Sequence, residues 1–197
     1  MSTITRPRET ELRSAATRLF RQRGYHATSM QDLAEALGMN RGSLYHYIES
    51  KEDLLWAILD RTFDLLDDRV VHLLRTDAPP LERLTAAIRA HLGVAADHAD
   101  EMSLIQIELR SLAPDRRARL IERRDAYEAA WRQALADGVA AGELRSVDVR
   151  LAGIGILSVC NWFTQWYRPG GALCVDEIAD AFAGLFLQGL MPREPGA

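Results

Sequence analysis

Histidine, cysteine and clustered acids are the residues best equipped for catalysis or metal binding, and this chain spaces them poorly for either. Its histidines are His26, His46, His72, His91 and His98. None belongs to a nucleophile, metal or phosphate-loop motif. His91 and His98 share a helix face two turns apart, too far for a common ligand, and no third partner stands near them in sequence. Cys160 and Cys174 fit neither a metal motif nor a disulfide framework. The reading is therefore no enzyme, no metal and no cofactor. The densest run of polar and aromatic side chains is Thr28 to Lys51, TSMQDLAEALGMNRGSLYHYIESK, and its chemistry is that of recognition.

That run reads as two short helices and a tight turn. Thr28 precedes the first helix, and Gln31 three residues on completes a capping-box pattern. Met30, Leu33, Ala34 and Leu37 give one apolar face. Gly38 falls where a helix end needs a left-handed residue. Asn40 caps a second helix, Arg41 to about Tyr47, with Leu44 pointing inward; Ser50 caps a third, with Asp53 at its third position. Helix, glycine-containing turn, helix is the arrangement that lays its second helix in the major groove of DNA.

Charge agrees with a DNA-facing end. The net charge is -4 over 197 residues, yet Met1 to Ile48 holds seven Arg against four Asp and Glu, +3, leaving −7 for the rest. A 48% hydrophobic, 26% charged composition is ordinary for a folded protein. Charges at Arg6, Arg8, Glu9, Glu11 and Arg13 interrupt any leader-like apolar run, so a cytoplasmic location is expected.

The elements around the motif are helical throughout, and an all-α fold is predicted. Met1 to Arg6 reads as a frayed tail within reach of phosphate. Pro7 suits the first turn of helix 1, which buries Leu12, Ala15, Ala16, Leu19 and Phe20 and ends at Arg23-Gly24. After Ser50 a long helix keeps its period to about Arg75, a rod of about 36 Å. Further helices run from Pro80, over about Glu101 to Leu112, and from Pro114 to Ala141, ended by Gly142. The last two span about Asp148 to Tyr167 and about Val175 to Leu190. The first of these has no charge between Arg150 and Arg168. Ser158, Asn161, Thr164 and Gln165 interrupt it, which argues against a membrane span. A helix apolar on all sides must be covered on all sides. An identical subunit could cover the outer face, with Leu157, Trp166, Ile178, Phe182 and Phe186 at the interface. The chain divides on this reading into residues 1–51, the DNA-binding domain, and 52–197, a dimerisation domain to which the family resemblance described next adds ligand binding.

The motif resembles the DNA-binding signature of the TetR family of bacterial transcriptional regulators. It matches at Thr28-Ser29, Asp32-Leu33-Ala34, Gly38, Gly42-Ser43-Leu44-Tyr45-His46-Tyr47 and Ser50-Lys51-Glu52. The resemblance implies that Arg41, Gly42, Ser43, Tyr45 and His46 contact bases, with phosphate equally open to Arg41 and His46. It implies that Thr28, Ser29, Tyr47 and Lys51 clamp phosphates. Leu33 and Leu44 belong to the core. Two heads per homodimer would read a palindromic operator in double-stranded DNA, half-sites spaced by whole turns of about 34–36 Å.

The resemblance also implies a small-molecule pocket in the body. Facing helices offer Phe63, Ile88, Leu92, Ile105, Gln106, Leu109, Tyr127, Trp131, Asn161 and Trp162; each also fits as plain core. Asn161-Trp162, Gln165 to Gly171 and Glu177-Ile178-Ala179 resemble the C-terminal domain of TetR-family regulators of fatty-acid and sterol degradation, whose effectors are acyl-CoA thioesters. The CoA phosphates would need cations, with Arg110, Arg116, Arg117, Arg119, Arg123 and Arg124 as sources or, equally, as a solvated helix face. The expected function is a repressor released by a hydrophobic effector. Another hydrophobic or drug-like ligand, or DNA binding without a ligand, are the alternatives.

Overall fold

The computed structural model describes the backbone of residues 5–191 and the side chains of residues 9–191. The expected phosphate-reaching tail, Met1 to Arg6, lies largely outside them. All regular structure among the described residues is helical, as the periodicity predicts. The chain forms two compact units, residues 1–62 with 100–121 and residues 63–99 with 122–197.

In the first unit, α1 (Thr5–Arg23) turns Leu12, Ala15, Ala16, Leu19 and Phe20 inward onto α2 (Met30–Ala36). Leu44 from α3 (Arg41–Leu44) and Leu54, Leu55, Ile58 and Leu59 from α4 (Lys51–Leu66) supply the rest of its core. The caps set the register. Ser29, not Thr28, caps α2: its hydroxyl accepts from the Asp32 N–H at 3.1 Å, and the Asp32 carboxylate accepts from the Ser29 N–H at 2.8 Å. Gln31 instead bonds to Glu35 along the helix. Gly38 takes φ 62, the left-handed conformation that ends α2. The Asn40 side chain accepts from the Ser43 N–H at 2.7 Å and opens α3. The second helix is shorter than expected. Past Leu44 the chain closes with tight bonds from the His46 N–H to Ser43 and the Tyr47 N–H to Leu44.

The helix after Ser50 runs nearly as far as its period predicts, but not as one α-helix. A π turn, Asp67–Val71, separates α4 from the short α5 (His72–Leu74). The wider turn keeps Leu66, Val70, Val71 and Leu74 all buried. In the second unit α6 (Pro80–Asp97) is central, packing on α9 (Val149–Trp166), α10 (Val175–Leu190) and the π turn. The remaining helices are α7 (Ala99–Glu108), extended by a 3-10 turn Leu109–Ser111, and α8 (Pro114–Ala140), ended by Gly142 at φ 75. No helix among the described residues is long and apolar enough to cross a membrane.

Candidate nucleic-acid interface and effector core

The second helix of the motif is anchored on one side and open on the other. Leu44 is fully buried, whereas Arg41, Gly42, Tyr45 and His46 are exposed and Ser43 is half-buried. Arg41 Nη2 donates to the Tyr45 hydroxyl at 3.1 Å, and the guanidinium stands 5.7 Å from that ring's centroid. This pair presents five-donor and donor–acceptor chemistry on one turn, suited to base edges or phosphate.

The four phosphate candidates occupy different environments. Ser29 is exposed and Tyr47 half-buried. Thr28 is buried at 1% exposure, its hydroxyl donating to Gly24 O at 2.9 Å, so its side chain is turned away from any phosphate. Lys51 is turned inward as well. Its Nζ donates to Thr28 O at 2.7 Å and Tyr25 O at 2.8 Å, reaches His26 O at 3.5 Å, and stands 4.4 Å from the Tyr25 ring centroid. Burial holds its pKa below the usual lysine value, against the opposing pull of Glu108. In place of the expected clamp, the structure makes Lys51 a staple on the loop leading into α2. The same loop is tied by Glu108, itself buried, which accepts from the Tyr25 N–H at 3.4 Å and from Ser111 at 2.7 Å. No sequence signal marked Glu108, since the loop it ties at Tyr25 is distant in the chain.

Of the expected pocket residues, the second unit holds Phe63, Ile88, Leu92, Tyr127 and Trp131, all buried, with Asn161 half-buried and Trp162 63% exposed. Ile105, Gln106 and Leu109 lie in the first unit and are half-buried or exposed. Gln106 and Trp162 are exposed in the single chain. Two of the buried set, Tyr127 and Trp131, meet a residue not among the expected ones, His91, whose Nδ1 lies 2.7 Å from the Tyr127 hydroxyl and whose ring stands 6.4 Å from that of Trp131. Burial lowers the His91 pKa to about 4, with Asn161 opposing, and raises that of Tyr127. A signal for His91 did exist: it occupies the apolar stripe of α6, with Leu84, Ile88, Leu92 and Ala95.

Several candidate cations are already paired. Arg116 bonds to Asp53, Arg123 lies between Asp64 at 2.8 Å and Asp67 at 2.7 Å, and Arg124 bonds to Asp125 at 2.9 Å. Arg110, Arg117 and Arg119 are exposed. Among the described residues no group of His, Cys, Asp or Glu is placed to hold a metal ion.

The outer faces of α9 and α10 expose Leu151, Ile154, Val159, Trp162, Trp166 and Leu185. Of the expected interface residues, Trp166 is exposed and Phe182 and Phe186 are half-buried in an edge-to-face aromatic chain. Leu157 and Ile178, at 7% and 5% exposure, are corrected to core: they face their own subunit and have little area left for another.

Comparison with known proteins accords with this architecture. Residues 12–58 match the family model for bacterial regulatory proteins of the tetR family, and residues 77–190 match that for the tetracyclin repressor-like C-terminal domain. The chain is 34% identical over 187 residues to the HTH-type transcriptional repressor KstR2 of Rhodococcus jostii, covering 93% of this chain and 91% of that one. The solved ketosteroid regulator KstR2 of Mycobacterium tuberculosis superposes with a TM-score of 0.89 at 30% identity, over 94% of this chain and 96% of that one. AibR, solved in complex with isovaleryl coenzyme A and operator DNA, superposes with a TM-score of 0.82 at 32% identity, over 90% and 97%. With both of its halves matched and relatives aligned along nearly its whole length, the chain belongs to the TetR family of transcription regulators, which are not enzymes.

Proposed function

We propose that this chain is a homodimeric repressor that holds a palindromic operator and releases it when a hydrophobic effector, an acyl-CoA thioester, enters its body. The observation that carries the DNA reading is the exposed Arg41–Tyr45 face on a helix whose opposite side is sealed by Leu44. Arg41, Gly42, Ser43, Tyr45 and His46 read the groove, and Ser29 and Tyr47 contact phosphate. The division is functional: residues 1–51 bind DNA, and residues 52–197 bind effector and partner. The effector class rests on likeness to AibR, solved with isovaleryl coenzyme A and operator DNA, and to KstR2, named a ketosteroid regulator.

The mechanism is a population shift. An effector that binds one conformation of the body more tightly favours that state, and by reciprocity operator DNA disfavours it. The helix that starts at Lys51 and continues through the π turn links the two functions covalently. A palindrome makes any misfit count at both half-sites, so a small change in the spacing of the heads suffices. The trial is selection of genomic fragments on the purified protein. Enrichment of a shared palindrome that elutes with acyl-CoA supports the proposal. Fragments with no common sequence would refute operator recognition.

A further inference from the structure

The loop between α1 and α2 is held by charges from outside it. The Tyr25 peptide is gripped at both ends: its N–H donates to Glu108 Oε1 at 3.4 Å, and its carbonyl accepts from Lys51 Nζ at 2.8 Å. The negative holder sits on the N–H and the positive one on the carbonyl. The second carboxylate oxygen, Oε2, accepts from the Ser111 hydroxyl at 2.7 Å. Ser111 Oγ in turn lies 3.1 Å from His26 Nε2. A serine has one hydrogen to give and the carboxylate takes it, so Oγ faces His26 as an acceptor and Nε2 carries the proton. Two consecutive loop residues, Tyr25 and His26, are thereby tied to one carboxylate.

Stability alone does not account for Glu108. It is 8% exposed, and carboxylates are seldom buried so far without a specific partner. An apolar side chain of similar size would fill the same space at a lower desolvation cost. What the carboxylate supplies is a fixed direction for the loop. Its field reaches Lys51 as well, where it opposes the lowering of the ammonium pKa by burial. The loop's shape is passed on within a few residues. The Thr28 N–H donates to Tyr25 O at 3.3 Å, Thr28 O accepts from Lys51 at 2.7 Å, and Ser29 then caps α2, which packs on α3. A second brace steadies the segment that carries Glu108. The Ala113 N–H donates to Glu52 Oε1 at 3.0 Å, and Arg116 bonds to Asp53, its guanidinium 6.0 Å from the Trp56 ring centroid. All of these residues belong to one compact unit. Yet Glu108 to Arg116 lie outside residues 12–58, the stretch matched as DNA-binding, and inside residues 77–190.

We propose that Glu108 is a positioning residue for operator binding: with Ser111 it holds the Tyr25–His26 loop in the arrangement in which α2 and α3 fit the groove. It touches no DNA and acts through the loop. The reading head of residues 1–51 is therefore completed by a side chain of the body, and a shift of the α7–α8 corner changes the fit to DNA. This rests on the reading above that the chain binds an operator, and it needs no particular effector.

The experiment uses the full chain, a duplex carrying the palindrome enriched from genomic fragments, and a random duplex of equal length. Affinities are read by anisotropy at a temperature where urea unfolding shows each variant fully folded. Glu108→Ala should weaken operator binding about tenfold, as loss of a buried charge-assisted bond does, and leave the random duplex within about twofold. Removing an acid by charge alone would instead strengthen both duplexes together. Glu108→Gln keeps an acceptor for the Tyr25 N–H and should restore part of the loss. Amide exchange over Tyr25 to Thr28 should quicken in the same order. If Glu108→Ala fails to fold, Ser111→Ala decides, with an operator-specific loss of about threefold expected. A folded variant whose operator affinity is unchanged, or whose two affinities fall together, overturns the proposal. A wild-type chain that prefers no duplex removes operator reading itself and this proposal with it, a result seen before any variant is made.

Discussion

Replacing Lys51 with Met keeps the aliphatic stem and removes the charge, which separates two roles for the chain's single lysine. As a staple, Lys51 makes short charge-assisted bonds to Thr28 O at 2.7 Å and Tyr25 O at 2.8 Å and a contact with the Tyr25 ring at 4.4 Å. Water would replace part of each bond because the side chain is half-buried. Allowing about 0.7 kcal/mol per bond and about 0.5 kcal/mol for the cation–ring contact gives a loss of about 2 kcal/mol. For a chain of this size that is a Tm drop of about 4–8 °C. Thermal and urea unfolding of Lys51→Met measure it, alongside the salt dependence of DNA binding. The staple account expects the stability loss and an unchanged salt slope for the folded protein. An unchanged Tm, with a salt slope reduced by about 0.9 for each lost phosphate contact, would refute it and restore the phosphate clamp.

Acid should weaken the core through His91. Its folded pKa, lowered to about 4 by burial, lies below its usual 6.5. The unfolded chain therefore binds the proton first, and stability falls as pH drops from about 6.5 towards 4, by about 3 kcal/mol in the limit. Tm measured between pH 7 and 5 should fall less steeply in His91→Leu than in wild type; parallel slopes would contradict this. Gly38→Ala should cost about 1 kcal/mol through its positive φ of 62 alone, since a Cβ there meets no atom within 4 Å. Gly38→Asn should recover part of that, as measured by urea unfolding. Trp162→Arg with Leu185→Lys should convert a dimer into a species of the 22.1 kDa chain mass in light scattering. A wild-type chain already at that mass would remove the dimer.

Local chemistry made much of this architecture legible. Val175 to Leu190 is a helix with the bounds its period gives, and Gly38 and Asn40 end and begin helices where their backbone and side-chain preferences demand. What escaped depends on contacts between distant segments or on choices between neighbours. Thr28 and Ser29 are both competent caps. Only the nearby Gly24 carbonyl, which takes the Thr28 hydroxyl, leaves the task to Ser29. The inward turn of Lys51 needs three carbonyls more than twenty residues away. The π turn has no marker in the sequence, where the apolar period runs on through Leu66, Val70 and Leu73. His91 was visible as a polar residue in an apolar stripe, but its Tyr127 partner lies on another helix.

The central claim is effector-controlled DNA binding, and fluorescence anisotropy on a labelled operator duplex tests it most directly. The account predicts salt-sensitive binding that survives non-specific competitor, two chains per palindrome, and release on titration with an acyl-CoA. Binding that competitor DNA removes completely, or that no hydrophobic effector alters, would contradict it.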